Sequence, residues 1–190
     1  SGAGGGLSTA EAAALNSSGS YDTQAAYAGA SGGHRTSATV SAPTIVAGSL
    51  AVRSLDRTAV DNNAGAVALG GAAGVSAGVA ITQLGGANDA GVSSGNLIVA
   101  DGVSIESGMR TPVSGEPAIE SRAIAGAGGF VGVGAAVSVA SNATASSAAL
   151  SGTLQAGGLV SVRALDQTSL LSEAYGASVG ALAVGVVTAT

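Results

Sequence analysis

Residues 65–82 read GAVALGGAAGVSAGVAIT. Odd positions hold Val67, Leu69, Ala73, Val75, Val79 and Ile81, while even positions hold Ala66, Ala68, Gly70, Ala72, Gly74, Ser76, Gly78 and Ala80. That is a period of two, the spacing of a β-strand and not the 3.6 of a helix. A membrane helix is the competing reading, because the run nears the ~20 residues a bilayer demands. Against it, each interior glycine costs a helix about 1 kcal/mol, and the run has no Trp or Tyr anchor and no flanking basic cluster. The alternation predicts a strand buried on both sides. Its Val, Leu and Ile side is expected to point into a core, and its Ala and Gly side to admit close approach by another sheet or chain.

Composition favours the same architecture. The chain has 190 residues, of which 32 are glycine, with 9% charged and 2% aromatic residues, so large side chains cannot fill an ordinary core. Stacked, hydrogen-bonded strands suit such residues, since small side chains let layers come close. The absence of Cys rules out disulfides and thiolate metal sites. Arginine supplies all six basic residues and the net charge is −5, which leaves no basic face for nucleic acid. The opening SGAGGGL reads as part of a longer or processed polypeptide.

The chain also repeats itself. Gly48–Thr58 (GSLAVRSLDRT) returns 110 positions later as Gly158–Thr168 (GLVSVRALDQT), and a degenerate copy, Val99–Glu106 (VADGVSIE), lies between them. The interval divides into units of about 55 residues, each with a strand-like segment followed by a small-residue run. The runs are 64–82, 124–140 and 174–190. The expected units are 48–101, 102–157 and an incomplete 158–190, after a divergent 1–47, all within one domain. A period this long predicts two coils per unit, or one coil and an extended hairpin. Arg53 with Asp56, and Arg163 with Asp166, are expected as recurring short ion pairs.

Local signals fill in the rest. Residues 36–41 and 44–46 read as strands with a bend at Pro43, and Ser8 with Glu11 suggests a capped helical turn over 8–14. Turns are expected at Asp61-Asn62-Asn63, at 85–89, at 93–96 and over the polar stretch 107–117. The fold class expected is all-β, a repetitive parallel β-solenoid (β-helix) with little or no helix.

Residues 154–164 (LQAGGLVSVRA) resemble the coil signature of large secreted bacterial β-helical proteins, the filamentous-haemagglutinin-like adhesins and giant autotransporter passengers. The run ending Gly134–Asn142 (GAAVSVASN) is similar to the small-residue-then-Asn segment of long leukotoxin-type and adhesin repeats. The resemblance covers residues 40–190. It implies an exported, surface-displayed rod used for adhesion, matrix or filament formation, in which active sites are rare.

Residues that could carry chemistry are scattered. His34 is the lone histidine and has no second ligand at metal-binding spacing. Residues 85–92 (GGANDAGV) approach a calcium-binding roll around Asp89, but the spacing is off by one and the motif occurs once. Gly126–Gly134 (GAGGFVGVG) approaches the G-x-G-x-x-G pattern without completing it and lacks its strand-turn-helix setting, so these read as structural glycines. Stacking could bring Asp101 and Glu106 near Asp56 or Asp166, as a glycan-cleaving groove needs. Asn16 and Asn142 head glycosylation sequons, and Tyr21, Tyr27, Tyr175 and Phe130 are too few for a sugar platform unless they converge.

No catalytic, cofactor-binding or metal-binding residue is assigned, and no cofactor. The functional expectation is a structural, non-enzymatic segment of an extracellular or cell-surface fibre or adhesin. Its partner would be itself, through strand edges and Ala/Gly faces, or a host or neighbouring-cell surface or glycan. A carbohydrate-active or glycan-binding β-helix and a membrane-inserting toxin segment are the alternatives.

Overall fold

The computed structural model describes residues 5–9, 19–29, 34–111 and 117–190. Twelve strands form among them: β1 (Gly5–Thr9), β2 (Gly19–Gly29), β3 (His34–Ala47), β4 (Leu50–Asp56), β5 (Val60–Leu69), β6 (Ala73–Val99), β7 (Val103–Met109), β8 (Ile119–Gly128), β9 (Val131–Ala156), β10 (Val160–Ala164), β11 (Leu170–Val179) and β12 (Leu182–Ala189). No helix occurs among the described residues, so the protein is all-β as the alternation implies. Among the described residues no helix is long and apolar enough to cross a membrane.

The strands make three sheets. The first runs β1-β2-β6-β9-β12 with β3 also on β6, the second β4-β7-β10, and the third β5-β8-β11. From β4 onward the chain visits the second, third and first sheets in rotation. Every ladder is parallel except β1 on β2, which is antiparallel. Leu50 pairs with Val103 and Val103 with Val160, displacements of 53 and 57 residues. In the third sheet Val60 pairs with Ile119 and Ile119 with Leu170, displacements of 59 and 51. One displacement therefore spans one passage through three sheets, not the two coils or the coil and hairpin expected from its length.

The two halves of the long strands β6 and β9 build different interiors. Their second halves face the second sheet across Val52, Val92, Leu97, Val99, Val103 and Ile105, an ordinary aliphatic core. Their first halves face the third sheet across Ala26, Ala64, Ala80, Ala123, Ala125 and Ala136. Between the two lies a small cluster of Leu84, Met109, Ala118 and Ile119.

That alanine layer corrects the expected orientation of residues 65–82. Ala66, Ala68, Ser76 and Ala80 are the buried side, while Val67, Leu69 and Val75 face outward with 60%, 74% and 43% of their surface exposed. Distance between the sheets decides this. A Cβ on Gly74 or Gly78 would overlap the backbone of Gly128 or Ile124 on the facing strand β8, so nothing larger than the small side can turn inward.

Other local expectations also shift. Ser8 and Thr9 continue β1 opposite Gln24 and Thr23, so no helical turn begins at Ser8, and residues 10–14 lie outside the described residues. Asp61-Asn62-Asn63 and residues 85–89 lie inside β5 and β6 and are not turns: Asn62 donates to Ile81 O and Asp89 pairs with Arg35, both on neighbouring strands. In the stretch 107–117, Ser107–Met109 belong to β7, and residues 112–116 are outside the described set.

β3 is continuous through Pro43, yet the inward parity changes there, from Ala38 and Ala42 to Ile45 and Ala47. Beside it the register of β6 and β9 slips between Ser93 and Asn96, a bulge that bends the sheet. Gly152 occupies the bulge at φ +115°, a left-handed conformation that suits glycine.

Candidate functional site

The outward side of the third sheet gathers the densest polar cluster. The register aligns Asp61 with Glu120, and Asn63 with Arg122 and Glu173. Because strand side chains alternate, Asn62 and Ser121 point into the core while Asp61, Asn63, Arg122 and Glu173 lie on the other side, where Glu120 is itself covered, with 8% of its surface exposed. The Arg122 Nε lies 2.6 Å from Glu120 Oε1 and 2.9 Å from Glu173 Oε2. Its hydrogen bond to Glu173, with the nearby Glu120 and Asp61 carboxylates, holds the guanidinium above its ordinary pKa. Tyr175, two residues along β11, hydrogen-bonds Glu173, and this bond with the carboxylate's charge raises the phenol pKa.

A second cluster stands on the second sheet. Arg53, Glu106 and Arg163 occupy one column in register. Arg53 Nε is 3.6 Å from a Glu106 oxygen, and Arg110 closes on the other oxygen of the same carboxylate. The first sheet adds Arg35 with Asp89 at 2.8 Å. Arg53–Glu106, Arg122–Glu173 and Arg35–Asp89 thus each join neighbouring parallel strands. The expected Arg53–Asp56 partnership is replaced, because residues three apart on a strand face opposite sides and Arg53 pairs across the ladder with Glu106 instead; Asp166 lies beyond the end of β10 and is held by other groups than Arg163. Asp56 accepts from Thr58 Oγ1 at 2.9 Å, and Asp166 from the Met109 backbone N–H at 2.8 Å and from the Ser146 hydroxyl.

Buried polar groups tie the sheets together inside. Asn62 Nδ2 donates to the backbone oxygens of Ile81 at 2.9 Å and Ala26 at 3.2 Å, joining β5 to the first sheet. One and two displacements away, Ser138 Oγ donates to Ser121 O at 2.7 Å and Ser172 Oγ to Ser138 Oγ at 3.0 Å. Ser54 and Ser107, in register, donate to Thr36 O at 2.8 Å and Asn88 O at 2.6 Å.

The residues singled out from the sequence do not come together as one site. His34 opens β3 opposite Gly86, with its side chain outside the described residues. Asp89 is held by Arg35, and no group of three or more His, Cys, Asp or Glu stands close enough for a metal among the described residues. Gly126–Gly134 forms strand, turn and strand, without the helix that a phosphate loop requires. Asn142 has its amide engaged, donating to Thr168 Oγ1 at 3.1 Å and accepting from Thr144 N–H at 3.0 Å. Asn16, and the side chains of Tyr21 and Tyr27, are outside the described residues. Phe130 caps the turn before β9, 64% exposed, and Tyr175 lies mid-strand in β11.

Glu106 joins Arg53 and Arg110, and not Asp56, Asp101 or Asp166. The Glu120-Arg122-Glu173 group went unread in the sequence, although Glu120-Ser121-Arg122 places opposite charges two residues apart, on one side of a strand. The arrangement neutralises carboxylates across ladders and fixes strand register. Comparison with known families, curated proteins and solved structures finds no match to this chain.

Proposed function

We propose that this chain is a β-solenoid segment of a secreted or surface-displayed bacterial fibre or adhesin, structural and not enzymatic, with coils of about 55 residues. The observation that carries the reading is the rotation of strands through three sheets with parallel partners 51 to 59 residues apart. Two features support it further. The ion pairs join successive strands of a ladder, as stacked coils need for registration, and Glu106, Glu120 and Glu173 each face an arginine, as a scaffold and not a general acid would place them. The resemblance of residues 154–164 to adhesin coils points the same way.

Electron microscopy and fibre diffraction of the purified protein test the reading. A solenoid gives rods with a strand spacing of about 4.8 Å along their axis, because the strands run across the axis. Compact particles that turn over a glycan, losing that activity in Glu173→Gln, would instead establish the carbohydrate-active alternative.

A further inference from the structure

Asp101 stands apart from the other aspartates. Asp56 is held by the Thr58 hydroxyl, Asp61 by the Asn63 amide at 2.8 Å, Asp89 by Arg35, and Asp166 by the Met109 N–H and the Ser146 hydroxyl. Asp101 is exposed at the bend between β6 and β7, and its carboxylate meets no donor among the described residues. It is also the only Asp or Asn in the chain that glycine follows. The backbone here is bonded on both sides: Asp101 N–H donates to Gly48 O at 2.7 Å, Leu50 N–H to Gly102 O at 3.1 Å, and Val103 N–H to Leu159 O at 2.9 Å. Gly102 N–H has no acceptor among the described residues. A carboxyl and the backbone nitrogen that follows it are thus both unengaged, with no Cβ on Gly102 to screen the nitrogen.

We infer that Asp101-Gly102 is a modification site, where the backbone converts spontaneously to isoaspartate. Gly102 N loses its proton to solvent and attacks the protonated Asp101 carboxyl at Cγ; the C–N bond forms, water leaves, and a cyclic succinimide closes. Water then adds to the Asp101 backbone carbonyl carbon, and the bond from that carbon to Gly102 N breaks. The chain is left running through Cβ and Cγ, longer by a methylene, with the former backbone carbonyl as a free carboxylate. No oxidant, reductant or enzyme is needed. The other described aspartates are kept from this by the bonds on their carboxylates and by the following Arg57, Asn62, Ala90 or Gln167. The added methylene falls where the packing leaves little slack, since a Cβ on Gly158 would stand 2.8 Å from Asp101 O. The longer linkage is expected to break the bonds to Gly48 and Leu50, and so to loosen the start of β4 from β7.

Ageing the folded full chain at neutral pH and physiological temperature tests this, with peptide mass spectrometry, labelling by an isoaspartyl methyltransferase, and circular dichroism on each sample. Isoaspartate is expected at Asp101 and at none of Asp56, Asp61, Asp89 and Asp166, preceded by a succinimide lighter by the mass of water. In Asp101→Glu, which would have to close a larger ring, the label is expected to be lost while the β spectrum stays. Hydrogen exchange at the Leu50 and Asp101 amides should rise in step with the isomerised fraction. A folded chain that ages without label overturns the inference, as does label spread evenly over the five aspartates or kept in D101E. So does label confined to chain unfolded in urea, which would mean that the fold protects the bend.

Discussion

Gly78 on β6 lies so close to Ile124 on β8 that a Cβ added to it would overlap the Ile124 carbonyl oxygen, well under the 3.0 Å that real Cβ atoms keep. The first and third sheets touch there through backbone, with alanines filling the remaining space. Gly78→Val must therefore push two sheets apart, and overpacking of this kind costs about 1–3 kcal/mol or more. Gly85→Ala meets nothing within 4 Å and is expected to change stability by no more than about 0.5 kcal/mol. Urea denaturation of the two variants compares them directly.

The reversed orientation of residues 65–82 gives a paired test. Ala66 is 1% exposed and Val67 60%. Ala66→Val is expected to destabilise by about 1–3 kcal/mol, and Val67→Thr by no more than about 0.5 kcal/mol. Thermal melts showing the opposite order would restore the valine-inward orientation.

Asn62 joins two sheets through one buried amide. Asn62→Ala leaves the Ala26 and Ile81 carbonyls without that donor and is expected to cost about 1–3 kcal/mol. Hydrogen exchange should show the loss concentrated in β2, β5 and the first half of β6.

The ladder ion pairs are expected to fix register more than to stabilise. Arg53 is 62% exposed and Glu106 22%, so a double-mutant cycle on Arg53→Gln and Glu106→Gln should give a coupling of about 0–1 kcal/mol that shrinks in high salt. A salt-insensitive coupling of several kcal/mol would mean a dry, functional pair.

Tyr175 should ionise above the ordinary phenol value, because its bond to Glu173 and that carboxylate's charge favour the neutral phenol. A raised folded-state pKa means that any stabilisation from this bond is present below the unfolded pKa and is lost as pH rises through the folded one. Tyrosine-labelled NMR titration should find the Tyr175 pKa lowered in Glu173→Gln.

Strand periodicity was legible in the sequence wherever side chains alternate strictly, as in residues 65–82. So was the kinship of Leu50–Arg53, Val103–Glu106 and Val160–Arg163, segments that lie side by side in register. Which side of an alternating run faces inward was not legible: a period of two defines two sides, and the choice depends on how near the facing backbone comes. Asn62 read as a turn residue because the same amide serves a turn or a buried carbonyl pair, and only the neighbouring strand tells them apart. Charge partners were misassigned within one strand because a ladder pairs residues far apart in sequence, as Arg122 pairs with Glu173.

Winding of the chain into parallel neighbours is tested most directly by paired cysteines, since the protein has none of its own. Ala51, Ser104 and Ser161 occupy one column of the second sheet. Oxidation at high dilution is expected to close an intramolecular disulfide in the Ala51→Cys/Ser104→Cys variant and in Ser104→Cys/Ser161→Cys, adjacent strands lying ~4.8 Å apart, within disulfide reach. It should close none in Ala51→Cys/Ser161→Cys, where two strand spacings intervene. A disulfide in the last variant and none in the first two would contradict the parallel three-sheet fold.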